Sequence, residues 1–393
     1  MGALSGFINI DDFRSAAARR LPRGVFDYLD GGAEAEWTLR ENLAAFQEWS
    51  FRPRNAARVA RCETQRRVCG TALAAPIVLA PIGYSRLMHP RGELAAARAA
   101  HAAGLTYALP TIAGHSIEAV RAVASGPLWY QLYTIGGRAT VEAALGRARA
   151  AGYEVLVVTI DTAVSGLRER DLRNGNSKLL GKSLFAKLPF LPEILAHPRW
   201  LWSFLRDGGV PKLPNIVIDG KPMELIDVAV ALSDAVMTWD DLSWVRAAWP
   251  GPLVIKGVLT VEDARRCVAS GAQGLVVSNH GGRQLDSSPA TLRVLPAIAA
   301  AVGKQIEVLF DGGIRRGGDI VKALALGARA VLVGRAYGYG MASHGEAGIC
   351  RSLEILLADL DRTLKLLGCS SLDALDASYL EHRSAFLPPR IPQ

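Results

Sequence analysis

Cysteine is scarce and scattered in this 393-residue chain: Cys62, Cys69, Cys267, Cys350 and Cys369, with no C-x-x-C among them. An odd number at such spacings argues against a disulfide framework, a zinc site and a c-type haem, and no metal site is expected. A reducing cytoplasm is the simplest setting. No run of about 18 apolar residues occurs, so no helix is expected to span a membrane. The opening stretch MGALSGFINIDDFRS lacks the basic-then-apolar order of a secretion signal. Zinc-finger spacing, RNP-like runs and basic stripes interleaved with aromatics are all missing, so nucleic acid is not expected as a partner. Acidic residues are outnumbered, 37 against 45 basic ones, leaving a net charge of +8. That balance fits a soluble protein that happens to be basic, or one drawn to an anionic membrane surface or anionic ligands.

What is present is a rhythm. From residue 76 the chain repeats a short apolar strand, a polar or glycine-rich end and an amphipathic helix. The strands read PIVLAPIG (76–83), LTYALPT (105–111), LWYQLYT (128–134), VLVVTID (155–161), PLVIKGV (252–258), GLVVSNHGG (274–282), EVLFDGG (307–313) and AVLVGRA (330–336). Continuous apolar runs of this length suit parallel strands covered on both faces. ELAAARAAHAAG, TVEAALGRARAAG, TVEDARRCVASG and DIVKALALGA carry apolar residues at helical spacing and run to a glycine. Eight such units predict an α/β fold, a (β/α)₈ TIM barrel in a single domain over 1–393. A doubly wound sheet is the alternative, but the G-x-G-x-x-G that would follow its first strand does not occur.

Two regions break the rhythm. Residues 1–75 precede the barrel and are expected to cap its bottom or reach round to its mouth. Residues 175–240 form a long insertion after strand four, of a length typical of lids and binding segments. Within it GNSKLLGKS (175–183) imitates a phosphate-binding P-loop. Asn176 occupies the position that needs glycine, and the segment follows charged RERDLRNG and not a strand, so the nucleotide-triphosphatase reading fails.

A barrel builds its active site at the C-terminal ends of its strands. Those ends supply Pro81, Ile82, Gly83, Thr111, Gln131, Tyr133, Thr159, Asp161, Lys256, Ser278, His280, Asp311, Arg315, Gly334 and Arg335. The glycines of DGGIRRGGD (311–319) and GRA (334–336), with Arg315 and Arg335, suit a phosphate, and barrels often bind phosphate after strands seven and eight. A mononucleotide such as FMN therefore fits. His280 is the side chain best suited to take a proton near neutral pH, and Arg283 on the same loop suits a carboxylate. Asp161 could orient the histidine and stabilise its cation. Arg168 could grip the same carboxylate. Lys256 could stabilise negative charge gathering on a flavin ring, or form a Schiff base as barrel lyases do.

With these residues in place, the chain resembles the FMN-dependent 2-hydroxy acid oxidase and dehydrogenase family, which includes the lactate and mandelate dehydrogenases. The motifs DYLDGGAE, LAPIGY, YQLY, TIDT, RERD, IKGV, SNHGGRQLD, DGGIRRGGD and LVGRA carry the resemblance from about residue 8 to 385. The resemblance implies that His280 takes the substrate's α-proton, or its hydroxyl proton if hydride moves, with Asp161 paired to it. It implies that Arg168 and Arg283 bind the carboxylate and that Tyr28 and Tyr133 hydrogen-bond the substrate. Around FMN it sets Pro81, Ile82, Gly83, Gln131, Thr159, Lys256 and Ser278 beside the isoalloxazine. Asp311, Gly312, Gly313, Arg315, Gly334 and Arg335 would hold the sugar and phosphate. Pro110 departs from the family's usual serine, and with no N–H and no hydroxyl it leaves one of the implied flavin contacts open. Gly83 leaves room near the flavin N5. Ile112 replaces the tryptophan of glycolate oxidases, which implies lactate or mandelate before glycolate.

The stretch 177–218 alternates Leu, Phe and Trp with Lys178, Lys182, Lys187, Arg199 and Arg206. It reads as a lid, or as an interfacial segment with Trp200 and Trp202 at headgroup level. The second reading puts the enzyme on the inner face of the cytoplasmic membrane and passes electrons to quinone; the soluble alternative passes them to O₂ and makes peroxide. No C-x-x-C-H suggests a haem acceptor within the chain. By analogy with the family the protein is expected to be a homo-oligomer, a tetramer, with LEHRSAFLPPRIPQ (380–393) available for subunit contacts.

Overall fold

The computed structural model describes residues 4–386 apart from 177 and 179–184. Eight parallel strands close into a barrel: β1 Ile77–Leu79, β2 Thr106–Pro110, β3 Leu128–Leu132, β4 Val155–Thr159, β5 Leu253–Val258, β6 Gly274–Val277, β7 Glu307–Asp311 and β8 Ala330–Val333. Each begins within one residue of the apolar run that predicted it. Almost every strand residue is buried, because helices cover the outer face and side chains fill the lumen. The outer ring is α1 Gly92–Ala102, α2 Ile117–Ala122, α3 Gly137–Ala150, α4 Asp241–Ala248, α5 Val261–Ala269, α6 Thr291–Val302, α7 Gly317–Ala325 and α8 Arg335–Leu367. Side-chain caps start two of these helices: Ser116 accepts from Ala119 N for α2, and Thr260 from Asp263 N for α5.

The lumen explains where function can sit. Its lower part is an apolar plug of Val78, Ala108, Trp129, Val157, Val254, Val276, Leu309 and Leu332. Side chains alternate across a strand, so two residues further on the same inward phase returns. It then reaches Ala80, Pro110, Gln131, Thr159, Lys256, Ser278, Asp311 and Gly334, and one more step gives Ile82, Tyr133, Asp161 and His280. Every strand changes from apolar to polar or small at the same height, and the barrel mouth begins there.

The N-terminal extension reaches both ends of the barrel. A hairpin of Arg66–Val68 and Thr71–Leu73 closes the bottom, inserting Val68, Cys69 and Leu73 into the apolar plug, while Trp129 Nε1 donates to Thr71 Oγ1 at 3.0 Å. The helix Ile10–Arg20 packs Ile10, Phe13 and Ala17 into the core beside α8. The helix Arg23–Asp30 then brings Tyr28 to the mouth.

Between β4 and β5 lie the helices Glu169–Arg173, Leu191–Leu195, Pro198–Arg206 and Val228–Ser233 and the hairpin Leu213–Ile218 with Lys221–Met223. Leu213, Ile216, Met223, Leu225 and Val228 form a second small core with Ile112 and Ile135. Most of the P-loop imitation falls outside the described residues. The C-terminal strand Leu380–His382 pairs with Trp49–Phe51 of the same chain, and residues 387–393 of the stretch assigned to subunit contacts lie outside the description. Among the described residues no helix is long and apolar enough to cross a membrane.

Candidate active site

The mouth encloses a cavity of about 440 Å³, within the usual range for small-molecule sites. Of the residues anticipated from sequence, Tyr28, Pro81, Ile82, Gly83, Gln131, Tyr133, Thr159, Arg168, Lys256, His280, Arg283, Asp311, Gly312, Gly313, Arg315, Gly334 and Arg335 line it. Asp161 and Ser278 stand behind this lining and act on it through hydrogen bonds.

His280 is held from three sides. Its Nδ1 meets Asp161 Oδ1 at 2.8 Å, its Nε2 lies 3.4 Å from the Tyr133 hydroxyl, and its backbone N–H donates to Ser278 Oγ at 3.1 Å. Its φ of +58° is left-handed, a conformation rare outside glycine and recurrent at functional sites. Because Nδ1 faces a carboxylate, that nitrogen carries the proton and Nε2 is left as the acceptor. Burial works to raise the Asp161 carboxyl, but the His280 charge, its hydrogen bond and the Lys256 charge outweigh it, so the group lies below the ordinary aspartate value. The second oxygen, Asp161 Oδ2, is buried without a partner. Burial lifts the Tyr133 hydroxyl well above the usual phenol range and the Asp161 charge adds to the effect, so Tyr133 stays a neutral donor.

Lys256 sits on the lumen side of β5, where Nζ donates to Ser278 Oγ at 2.8 Å and pairs with Asp311 Oδ2 at 3.0 Å. Burial would strip its proton, but Asp311 and Asp161 prevail and raise it above the ordinary lysine value. A retained ammonium is a fixed positive charge and a poor amine nucleophile, which removes the physical basis of the Schiff-base alternative.

Arg283 and Arg168 both face the Tyr28 ring, with guanidinium carbons 4.7 Å and 5.8 Å from its centroid. Arg283 Nη1 donates to the carbonyls of Tyr28 at 2.6 Å and Gly31 at 2.9 Å, while Arg283 Nη2 and Arg168 Nε are buried without partners. Burial and the Arg168 charge push Arg283 down to about 10. Two adjacent cations with open donors form a site that an incoming carboxylate would satisfy.

Arg335, anticipated at a phosphate, turns its fork to main-chain carbonyls of Leu29, Gly31 and Gly281 at 3.1, 2.8 and 2.9 Å. Its guanidinium thus ties the N-terminal segment to the His280 loop. Two positions went unread in the sequence although their motifs were seen. Gln284, in SNHGGRQLD, donates to the Asp161 and Val164 carbonyls and accepts from Gly166 N, joining the loops that carry Asp161 and His280. Asp171, in RERD, lines the cavity. A loop-to-loop bond leaves no periodic signal in a sequence. Tyr84, Ile112, Leu172 and Leu232 add an apolar wall, and Leu232 comes from the insertion.

The chain matches the FMN-dependent dehydrogenase family over residues 17–382. It belongs to that family. The cofactor is therefore FMN, and the enzyme is an oxidoreductase. It is 43% identical over 378 residues to (S)-mandelate dehydrogenase of Pseudomonas putida, covering 95% of this chain and 94% of that one. It is 42% identical over 376 residues to an L-lactate dehydrogenase of Caulobacter vibrioides (strain NA1000 / CB15N), covering 95% and 97%. A solved structure described as the monotopic membrane protein (S)-mandelate dehydrogenase superposes with a TM-score of 0.89 at 41% identity, covering 96% of this chain and all of that one. The residues of this FMN-dependent dehydrogenase fit the cofactor. Asp311 Oδ1 is buried without a partner and suits a sugar hydroxyl, and Gly312 and Gly313 adopt positive φ beside Arg315. Gly83 presents bare backbone to the cavity, beside Ile112 and the Tyr28 hydroxyl.

Proposed function

We propose that the enzyme oxidises a 2-hydroxy acid of lactate-to-mandelate size to the 2-keto acid, with His280 as the base. The observation that carries this reading is one cavity holding the Asp161–His280 pair and the Arg168–Arg283 pair with open donors. Arg168 and Arg283 grip the carboxylate, and Tyr28 and Tyr133 hydrogen-bond the substrate. That pose brings the hydroxyl-bearing carbon toward His280. Nε2 takes a proton from that carbon or from its hydroxyl, and Asp161 stabilises the imidazolium so formed. FMN, when bound, supplies the acceptor for the two electrons. Pro81, Ile82, Gly83, Gln131, Thr159, Lys256 and Ser278 would surround its ring system. Asp311, Gly312, Gly313, Arg315 and Gly334 would hold the sugar and phosphate, with Arg335 nearby. The wall of Ile112, Leu172 and Leu232 gives a phenyl or alkyl side chain an apolar surface.

The same proposal extends to the acceptor, quinone, reached from the inner face of the cytoplasmic membrane. Phe185, Leu188, Leu191, Leu195, Trp202 and Leu205 of the insertion are exposed, Trp202 by 70%, and Arg199 and Arg206 lie among them on the surface. Apolar side chains ringed by cations suit an anionic bilayer surface. Trp200 is not part of this face: it is buried, and its indole N–H donates to the Leu87 carbonyl at 2.7 Å.

Anaerobic mixing of the yellow protein with L-lactate and (S)-mandelate, followed by air, tests the reading. Bleaching by either acid supports it and the rates rank them, whereas no bleaching by any 2-hydroxy acid defeats it. Slow recolouring in air supports the quinone acceptor, and fast recolouring with peroxide makes the enzyme an oxidase. Failure to sediment with anionic vesicles at physiological salt would remove the membrane reading.

A further inference from the structure

The two side chains proposed to meet the substrate from above the mouth have no shared element. Tyr28 rides on the helix Arg23–Asp30 of the N-terminal extension, and Arg168 stands immediately before the short helix Glu169–Arg173 of the connection between β4 and β5. The shorter helix buries no side chain of its own, so apolar packing does not set its position. One guanidinium supplies the charged link across the gap, beside the neutral links from Asn174 Nδ2 to Asp27 Oδ2 at 2.7 Å, Asn176 Nδ2 to the Gly24 carbonyl at 3.4 Å and Glu34 N–H to the Leu167 carbonyl at 2.7 Å. Arg170 Nη1 lies 3.3 Å from Asp27 Oδ1 and 3.1 Å from Asp30 Oδ2, and its Nη2 lies 2.5 Å from Glu36 Oε2.

The acceptors are themselves anchored. Asp30 takes a two-pronged grip from Arg14 at 2.6 and 2.8 Å and a hydrogen bond from the Tyr339 hydroxyl at 2.7 Å. Burial would raise the Asp30 carboxyl, but Arg14 and Tyr339 drive it far below the ordinary range, so it remains charged. Glu36 Oε1 accepts from Gly32 N at 2.8 Å. Asp27 and Asp30 flank Tyr28 in sequence, and Arg170 is two residues from Arg168. Arg170 does not line the cavity.

We propose that Arg170 is a positioning residue that holds Tyr28 and Arg168 in register over the substrate, an inference that rests on the reading that both touch it. Only a planar fork reaches three carboxylates on two sides at once; a lysine ammonium is a single point charge and cannot. Loss of Arg170 therefore removes the charged link and leaves the two elements joined by neutral hydrogen bonds alone, while every cavity-lining group remains.

The test uses full-length, FMN-loaded protein as wild type, R170K, R170M, Y28F and the double variant R170M/Y28F. The readouts are the anaerobic bleaching rate, KM, the melting temperature, and the dissociation constant of phenylacetate, a carboxylate without a hydroxyl. R170M is expected to lower kcat/KM about tenfold and to weaken phenylacetate by a similar factor, since members of one hydrogen-bonded network couple strongly. The Y28F penalty, about tenfold in wild type, should shrink to about threefold or less in the R170M background. R170K is expected to restore the melting temperature and leave kcat/KM low. A Y28F penalty that is equal in both backgrounds, with only the melting temperature lowered, would overturn the proposal and leave Arg170 a stabilising residue. Should R170M not fold, E36Q removes one arm of the bridge and is read by the same cycle, additivity again overturning the proposal. Wild-type bleaching is read first: its absence overturns the reading of the site, whereas bleaching with additive penalties overturns the Arg170 proposal alone.

Discussion

Replacing Asp161 by asparagine keeps shape and removes one charge from beside the base. The heavy atoms stand 2.8 Å apart, with side-chain exposures of 21% for His280 and 13% for Asp161. With charge centres about 4 Å apart and an effective dielectric of about 20, the imidazolium–carboxylate attraction is about 4 kcal/mol. The imidazolium's own desolvation offsets part of that, leaving about 2–3 kcal/mol of stabilisation for the protonated base. At about 1.4 kcal/mol per tenfold, D161N should slow flavin bleaching about 30- to 150-fold. KM should change little, because Asp161 stands behind the cavity lining. Stopped-flow bleaching at saturating (S)-mandelate or L-lactate measures this. A fall of less than about threefold would refute the charge argument, and an unchanged rate with a raised KM would make Asp161 a binding group. The same carboxyl gives a stability signature. Its folded value lies below the unfolded one, so its contribution is present above the ordinary aspartate value of about 3.9 and disappears as pH falls through the folded value. Denaturant midpoints of wild type and D161N should therefore converge in acid, and a constant gap would contradict this.

Three further outcomes follow from the geometry. K256M leaves Asp311 buried without its counter-charge, so denaturant unfolding should show a loss of about 3–5 kcal/mol. Because the Lys256 ammonium is raised, the wild-type advantage should be full below the ordinary lysine value and fade as pH rises through the folded one. I112W narrows the apolar wall, and the ratio of kcat/KM for mandelate over glycolate should fall about tenfold or more; an unchanged ratio would show that Ile112 does not limit substrate size. G313A forces a side chain into a left-handed position, φ +81°, where its Cβ would overlap the Asn42 carbonyl, so the purified protein should lose bound FMN and melt earlier.

The barrel and most of its mouth were legible in the linear pattern of residues. Each strand is a local apolar run, and each inward residue follows from a period of two, so Gln131, Thr159, Lys256, Ser278 and Asp311 could be placed by counting from the core. Asp161 and His280 lie one step beyond, on the same phase. What lies off that period was set by long-range packing. Trp200 and Trp202 are two residues apart in an equally amphipathic stretch, yet only the packing of the helix Pro198–Arg206 sends one to the core and the other to solvent. Arg335 sits in a phosphate-like sequence but spends its fork on carbonyls contributed by residues about 300 positions earlier and by the His280 loop. Gln284 and Arg170 act by joining segments that only folding brings together. Local pattern encodes the barrel strands, because a strand covered on both faces must be apolar along its own length; which donor meets which acceptor across the mouth depends on the relative placement of elements far apart in sequence.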